Sequence, residues 1–232
     1  MNQQVQQVGA RGRCAQVLGL VASVGVLAQA AGAQIALVSD TRRVEAFATA
    51  TGANGTQASG PDAESRPAPA ADFNGSALAS VARSGAAAGA SAVQLSSIEP
   101  TEIQAQGSIS LSRTVNPSAG GVSATSSGLS LVDLSFNLPE GATVFLQSAV
   151  SGLGEVVFYS PQGLELFSGS GIFDETLPAG RYRLLARAEG ELEDTDAEGG
   201  GYSLSLRAAP TPGTFTLASL GLLIALRSRR PR

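Results

Sequence analysis

The chain has 232 residues with 15 arginines, 19 acidic residues and one cysteine, and it contains neither lysine nor histidine. Those absences exclude a Ser-His-Asp or Cys-His constellation, a His-ligated zinc site, a Schiff-base lysine and a phosphate-loop lysine. All 19 acids fall between Asp40 and Glu198, while two arginines lie near the N-terminus and four at the C-terminus, so the part between carries 9 − 19 = −10 and should repel nucleic acid, whose phosphates need clustered cations.

At the front, Arg11 and Arg13 precede an apolar stretch from Val17 to Ala31 that closes in Ala31-Gly32-Ala33, a small-x-small cleavage site. The order predicts a signal peptide over residues 1–33, cut after Ala33 to leave Gln34 as the first mature residue. A retained transmembrane anchor is the competing reading, and the small residues stand against it. Cys14 lies in the segment to be removed, and Arg11-Gly12-Arg13 before it is not a lipoprotein triplet. The mature chain is thus expected to hold no thiol, disulfide or thiolate metal site.

The body, residues 34–209, is rich in Ser, Ala, Gly, Val and Leu and poor in aromatics. Strands are predicted over 35–38 and 44–50. Residues 51–70, TGANGTQASGPDAESRPAPA, read as a flexible loop or linker because Gly, Pro and small polar residues dominate. Strands follow at 73–83 and 90–95; Gly85 and Gly89 favour sheet over an alanine helix across 84–92. Over 103–113, Ile103, Ala105, Gly107, Ile109 and Leu111 alternate with Gln104, Gln106, Ser108, Ser110 and Ser112, the period of a sheet with one wet face. Further strands are predicted at 129–138, 143–150, 155–159, 164–167, 172–177, 181–188 and 202–207, separated by Gly and Pro turns. Short strands at this spacing imply an all-β fold, an antiparallel β-sandwich of jelly-roll or Greek-key type. The strings VDLSFNLPEGATVFLQS, VVFYSPQGLELF, ETLPAGRYRLLARA and GGYSLSL resemble the bacterial pre-peptidase C-terminal domain, a small β-sandwich of secreted proteins with a Leu-Pro-Ala-Gly-x-Tyr-x-Leu hairpin, matched here at residues 177–184.

Residues 210–232 have three parts: a Pro210-Thr211-Pro212-Gly213 elbow, an apolar run over 214–226 with five Leu, one Ile and one Phe, and Arg227, Arg229, Arg230 and Arg232. The prolines exclude helix at the elbow, and terminal arginines favour the cytoplasmic side of a membrane. As a helix the 13 residues reach about 20 Å against a hydrocarbon core of about 30 Å, a shortfall that snorkelling arginines or local thinning reduce. A buried C-terminal helix competes, opposed by apolar surface on nearly all sides and the closing cations. This order resembles the sorting signal of PEP-CTERM proteins, with Thr211 where that family usually has Glu. The resemblance implies that the C-terminal helix anchors the chain transiently in the inner membrane and that an exosortase-type enzyme there removes the tail during export to the cell surface. The mature chain as a whole also resembles short PEP-CTERM surface proteins.

Only carboxylate pairs remain for catalysis. Asp174-Glu175 and the loop acids qualify by type, but no aromatic-lined cleft is evident, and solvated surface acids explain them better. From Glu189 to Glu198, EGELEDTDAE gathers six carboxylates; calcium would suit them chemically, the spacing is not that of an EF-hand, and a solvated acidic hairpin tip explains them equally well. Tyr159, Tyr182 and Tyr202 suggest a sugar-stacking platform, although Tyr182 and Tyr202 share phase with apolar neighbours and so are expected in the core. No catalytic, cofactor-binding or metal residue is assigned. The expected function is a non-enzymatic, exported protein of the envelope surface or exopolysaccharide matrix. The alternative is a carbohydrate-binding or adhesin-type sandwich, with calcium as a conceivable cofactor. A carboxylate glycosidase is a third reading.

Overall fold

The computed structural model describes residues 34–66, 72–116, 118, 120–138, 141–193 and 197–210. The expected leader with Ala31 and Ala33, the elbow residues Thr211, Pro212 and Gly213, the apolar run 214–226 and the arginines after it lie outside them. No helix among the described residues is long and apolar enough to cross a membrane.

The described residues form twelve strands, most of them along the alternation of apolar and polar residues: β1 (Ala36–Gly52), β2 (Gly55–Arg66), β3 (Phe73–Arg83), β4 (Ala86–Ile98), β5 (Glu102–Val115), β6 (Ser123–Leu138), β7 (Ala142–Gly152), β8 (Gly154–Tyr159), β9 (Glu165–Ser168), β10 (Gly171–Leu177), β11 (Gly180–Leu192) and β12 (Ala197–Pro210). They form two six-stranded sheets, ordered β2-β1-β6-β11-β8-β9 and β10-β7-β12-β5-β4-β3. All the pairings are antiparallel. The body is therefore all-β, a β-sandwich, as the short alternating strands predicted. Neighbours in the sheets are often distant in sequence, and β12 is wedged between β7 and β5.

The core between the sheets is graded. At one end Phe136, Phe158 and Tyr182 of the first sheet stack with ring centroids 5.7–6.3 Å apart, and Phe173 of the second sheet meets Phe158 edge-on at 5.6 Å. Toward β1, β3 and β4 the buried side chains are mostly alanine, among them Ala46, Ala48, Ala77, Ala79, Ala90 and Ala92. Such small residues let the sheets close up: Cα atoms of β1 come within 8 Å of β3 and β4, under the roughly 10 Å usual for facing sheets.

One segment departs from expectation. Residues 55–66, read as loop or linker from their Gly, Pro and small polar content, are the edge strand β2, paired along β1 from Gly52↔Gly55 to Arg42↔Arg66. Its solvent-exposed positions fall on both faces, so no apolar alternation marked it. Backbone pairing holds it, and its side chains do something composition does not announce. Asp62, Glu64 and Ser59 accept hydrogen bonds from the backbone N–H groups of Leu78 (2.9 Å), Ser76 (3.4 Å) and Ser80 (3.4 Å) on β3. The outward amides of one sheet's edge are thus capped by the other sheet's edge, which closes the sandwich on that side and blunts an edge that would otherwise template pairing. Pro61 within β2 is tolerated because an edge strand has one side without a ladder.

An ion pair is sealed inside. The guanidinium of Arg42 on β1 is fully buried, and it donates from Nε to Asp40 Oδ1 (2.9 Å) and from Nη2 to Asp40 Oδ2 (2.5 Å). Its Nη1 donates to Ser96 Oγ of β4 at 3.3 Å, and its carbon lies 5.7 Å from the Phe73 ring centroid on β3. Because the fork reaches β3 and β4 from β1, it ties the two sheets together where the core is thinnest.

Candidate functional site: the outer face of the second sheet

The two outward faces of the sandwich differ chemically. On the first sheet, Arg183 of β11 donates a bidentate pair to Asp133 of β6 (2.7 and 2.8 Å), Arg187 bonds Glu155 of β8 (2.6 Å) and Glu189 (3.2 Å), and Arg43 pairs with Glu45 along β1. These partners are adjacent because β6, β11 and β8 run side by side. The hydrogen bonds that each guanidinium donates to its carboxylate outweigh the opposing effect of burial: Asp133 raises the Arg183 pKa above its ordinary value, and Glu155 does the same for Arg187.

The second sheet carries no such lattice. Its registers place Gln147, Ser205, Gln104 and Ser97 in one outward row across β7, β12, β5 and β4. The next row is Ala149, Ser203, Gln106, Leu95 and Asn74, ending on β3. Three further rows hold only Ser, Gly, Ala, Val93 and Leu78. In a body of net charge −10, these rows are free of ionisable side chains. The ion pair of Arg207 with Glu102 (3.0 Å) marks where the neutral face ends. Hydrogen bonds from Gln104 and then Arg207 hold the Glu102 carboxyl below its usual range.

Two adjoining depressions, about 520 and 590 Å³, lie in this face and share Asn74, Leu95, Gln106 and Ser203. They form where Gly201 and Ser203 of β12 leave little side-chain volume between β5 and β7, with Val93 (47% exposed) and Leu95 (43% exposed) rising on β4. Asp72, at the rim, is the one charged residue in their lining. The walls thus offer amide donors and acceptors, hydroxyls and a narrow apolar shoulder, with the Asp72 carboxylate at the rim.

The residues singled out from the sequence distribute as follows. Gln34 is exposed just before β1, and Pro210 is the last residue of β12, opposite Ala142 of β7. Asp174 and Glu175 are exposed neighbours on β10, and successive strand residues point to opposite faces, so the two carboxylates do not converge. The acidic segment is not a hairpin tip: β11 belongs to the first sheet and β12 to the second, so the connection crosses between sheets. Among the described residues no group of three or more acids is gathered for a metal, while residues 194–196 lie outside them. The three tyrosines form no platform. Tyr182 is buried and donates to the Pro178 carbonyl at 2.8 Å, a tyrosine-corner arrangement at the turn into β11. Tyr159 is half-buried, with the Arg183 guanidinium 5.8 Å from its ring centroid.

Tyr202 is buried under the neutral face, its hydroxyl 3.3 Å from Ser130 Oγ. Burial raises its pKa well above the ordinary phenol value of 10, so the folded state favours the neutral ring. The stability this contributes is present below pH 10 and is lost as pH climbs toward the folded-state value. Denaturant midpoints are therefore expected to fall steadily above pH 10, and Tyr202→Phe, which cannot ionise, is expected to flatten that fall; equal slopes for both proteins would refute it.

Sequence reasoning identified the wet side of β5 but missed the platform as a whole. Gln104 and Gln106 were legible in the alternation, whereas their neighbours on β4, β12 and β7 are set by pairings between distant segments. Comparison with protein-family models, with curated proteins and with solved structures returns no match for this chain.

Proposed function

We propose that the protein is an exported, non-enzymatic component of the cell surface or extracellular matrix, delivered by its leader and processed at a PEP-CTERM-like tail by an exosortase-type enzyme. The body is read as a sandwich of jelly-roll or Greek-key connectivity akin to the pre-peptidase C-terminal domain. The observation that carries the reading is the junction at Pro210. The last strand among the described residues, β12, ends on the first residue of the elbow, so removing everything beyond the elbow leaves all the described strands in the body. A composition without histidine, lysine or a mature thiol fits a structural or binding role. Its negative charge keeps it in solution outside the cell and away from nucleic acid.

Mass spectrometry of the protein isolated from the cells that make it tests this directly. The mature pool is expected to begin at Gln34 and to lack residues after the elbow. A pool with both termini intact, recovered from the cytosol, would overturn it.

A further inference from the structure

We propose that the outer face of the second sheet binds an uncharged polysaccharide, laid along the two joined depressions and gripped by Gln104, Gln106 and Asn74. The proposal deepens the surface-and-matrix reading above and rests on it for the setting, while its chemistry rests on the face alone.

Three observations select this occupant. The first is charge. The body carries −10, every outward ion pair of the first sheet is on the opposite side, and the rows around Gln106 hold no ionisable group. A polyanion would be repelled by the body, and a polycation would find its partners elsewhere on it. A neutral chain meets neither cost.

The second is hydrogen-bonding type. A carboxamide presents two donors on nitrogen and an acceptor on oxygen, and a serine hydroxyl does both. Neighbouring hydroxyls on a sugar ring also donate and accept, so an amide can answer a vicinal pair without either partner being ionised. Gln106 and Ser203 are directly opposite across β5 and β12, and Gln104 lies two residues along β5 on the same face. Same-face residues recur every ~6.8 Å along a strand and strands lie ~4.8 Å apart, giving a lattice of such groups rather than a single point. Leu95, 43% exposed beside Gln106, offers an apolar patch to the carbon-bound hydrogens of a ring.

The third is shape, which separates this occupant from a second copy of the chain. A flat face of small residues would stack on its twin. Here the face is indented by depressions of about 520 and 590 Å³. Two indented faces brought together would trap voids and set bodies of −10 against each other, whereas an extended chain fills the indentation.

Affinity electrophoresis of the full-length chain through gels holding a β-1,4-glucan, a β-1,3-glucan, a mannan or a galactan, each uncharged, with alginate as the polyanionic control, tests the proposal. Retardation is expected with at least one uncharged polymer and not with alginate. The double variant Gln104→Ala/Gln106→Ala should weaken it at least tenfold, and Ser135→Ala on the other sheet should leave it unchanged. Circular dichroism confirms that the variants are folded; Gln106→Leu, which keeps the bulk but removes the amide, serves as an independent second variant. Retardation by none of the uncharged polymers overturns the proposal, as does retardation indifferent to both Gln variants, retardation by alginate alone, or a concentration-dependent dimer in sedimentation that the same variants abolish. Because the readout is binding by purified protein, its failure leaves the export reading to the mass-spectrometric test.

Discussion

Asp40→Ala is expected to destabilise the body by about 3–5 kcal/mol, because it leaves the guanidinium charge of Arg42 buried without its carboxylate. Both side chains are almost wholly out of solvent, 0% exposed for Arg42 and 3% for Asp40, so water cannot replace the lost oxygens. Taking both charges away together should behave differently. Asp40→Leu/Arg42→Met substitutes apolar volume for the pair and is expected to recover most of the loss, since a buried ion pair contributes little net stability over a well-packed apolar replacement. Urea unfolding of the two variants beside the parent protein measures this through the midpoint at constant slope. A single variant indistinguishable from the parent would mean that the guanidinium reaches solvent.

Gly154→Val is expected to cost about 3 kcal/mol, a fall in Tm of about 6–12 °C for a body of this size. Gly154 opens β8 immediately after the Gly152-Leu153 turn, and this corner is pressed against Gly199, Gly200 and Gly201 of β12. A Cβ on Gly154 would overlap the Gly201 carbonyl oxygen, and one on Gly200 would overlap the Leu153 amide nitrogen. Both obstacles are backbone, which cannot swing aside as a side chain can. Glycine lines both sides of the contact because two main chains cross there nearly touching. Thermal unfolding compares the variant with Ser151→Val, an exposed neighbour expected to shift Tm by little. Equal melting temperatures would show that the corner yields.

The contrast between these sites and the rest of the body says what was legible beforehand. Strand 129–138 could be read because Val132, Leu134, Phe136 and Leu138 are large and recur every second residue, and all four are buried in the core. The same alternation correctly placed Tyr182 and Tyr202 inside. β2 escaped notice because a strand with no buried face carries no period, and its capping of β3 joins residues 12–21 positions apart. Arg42 gave no sign of burial either: in sequence it is one of two adjacent arginines, and only the register of β1 turns it inward and Arg43 outward. The neutral platform was half visible, in the glutamines and serines of β5. The other half depended on which distant strands lie beside it, and local composition is silent on that.

The position of β12 has a temporal consequence. Strands β5 and β7 are synthesised well before residues 197–210, yet they do not touch each other in the finished sheet; both wait for the same late arrival. Until it docks, the second layer is two separate ribbons, β10-β7 and β5-β4-β3, each with a bare inner margin. The second sheet can therefore close only once residues 197–210 are present.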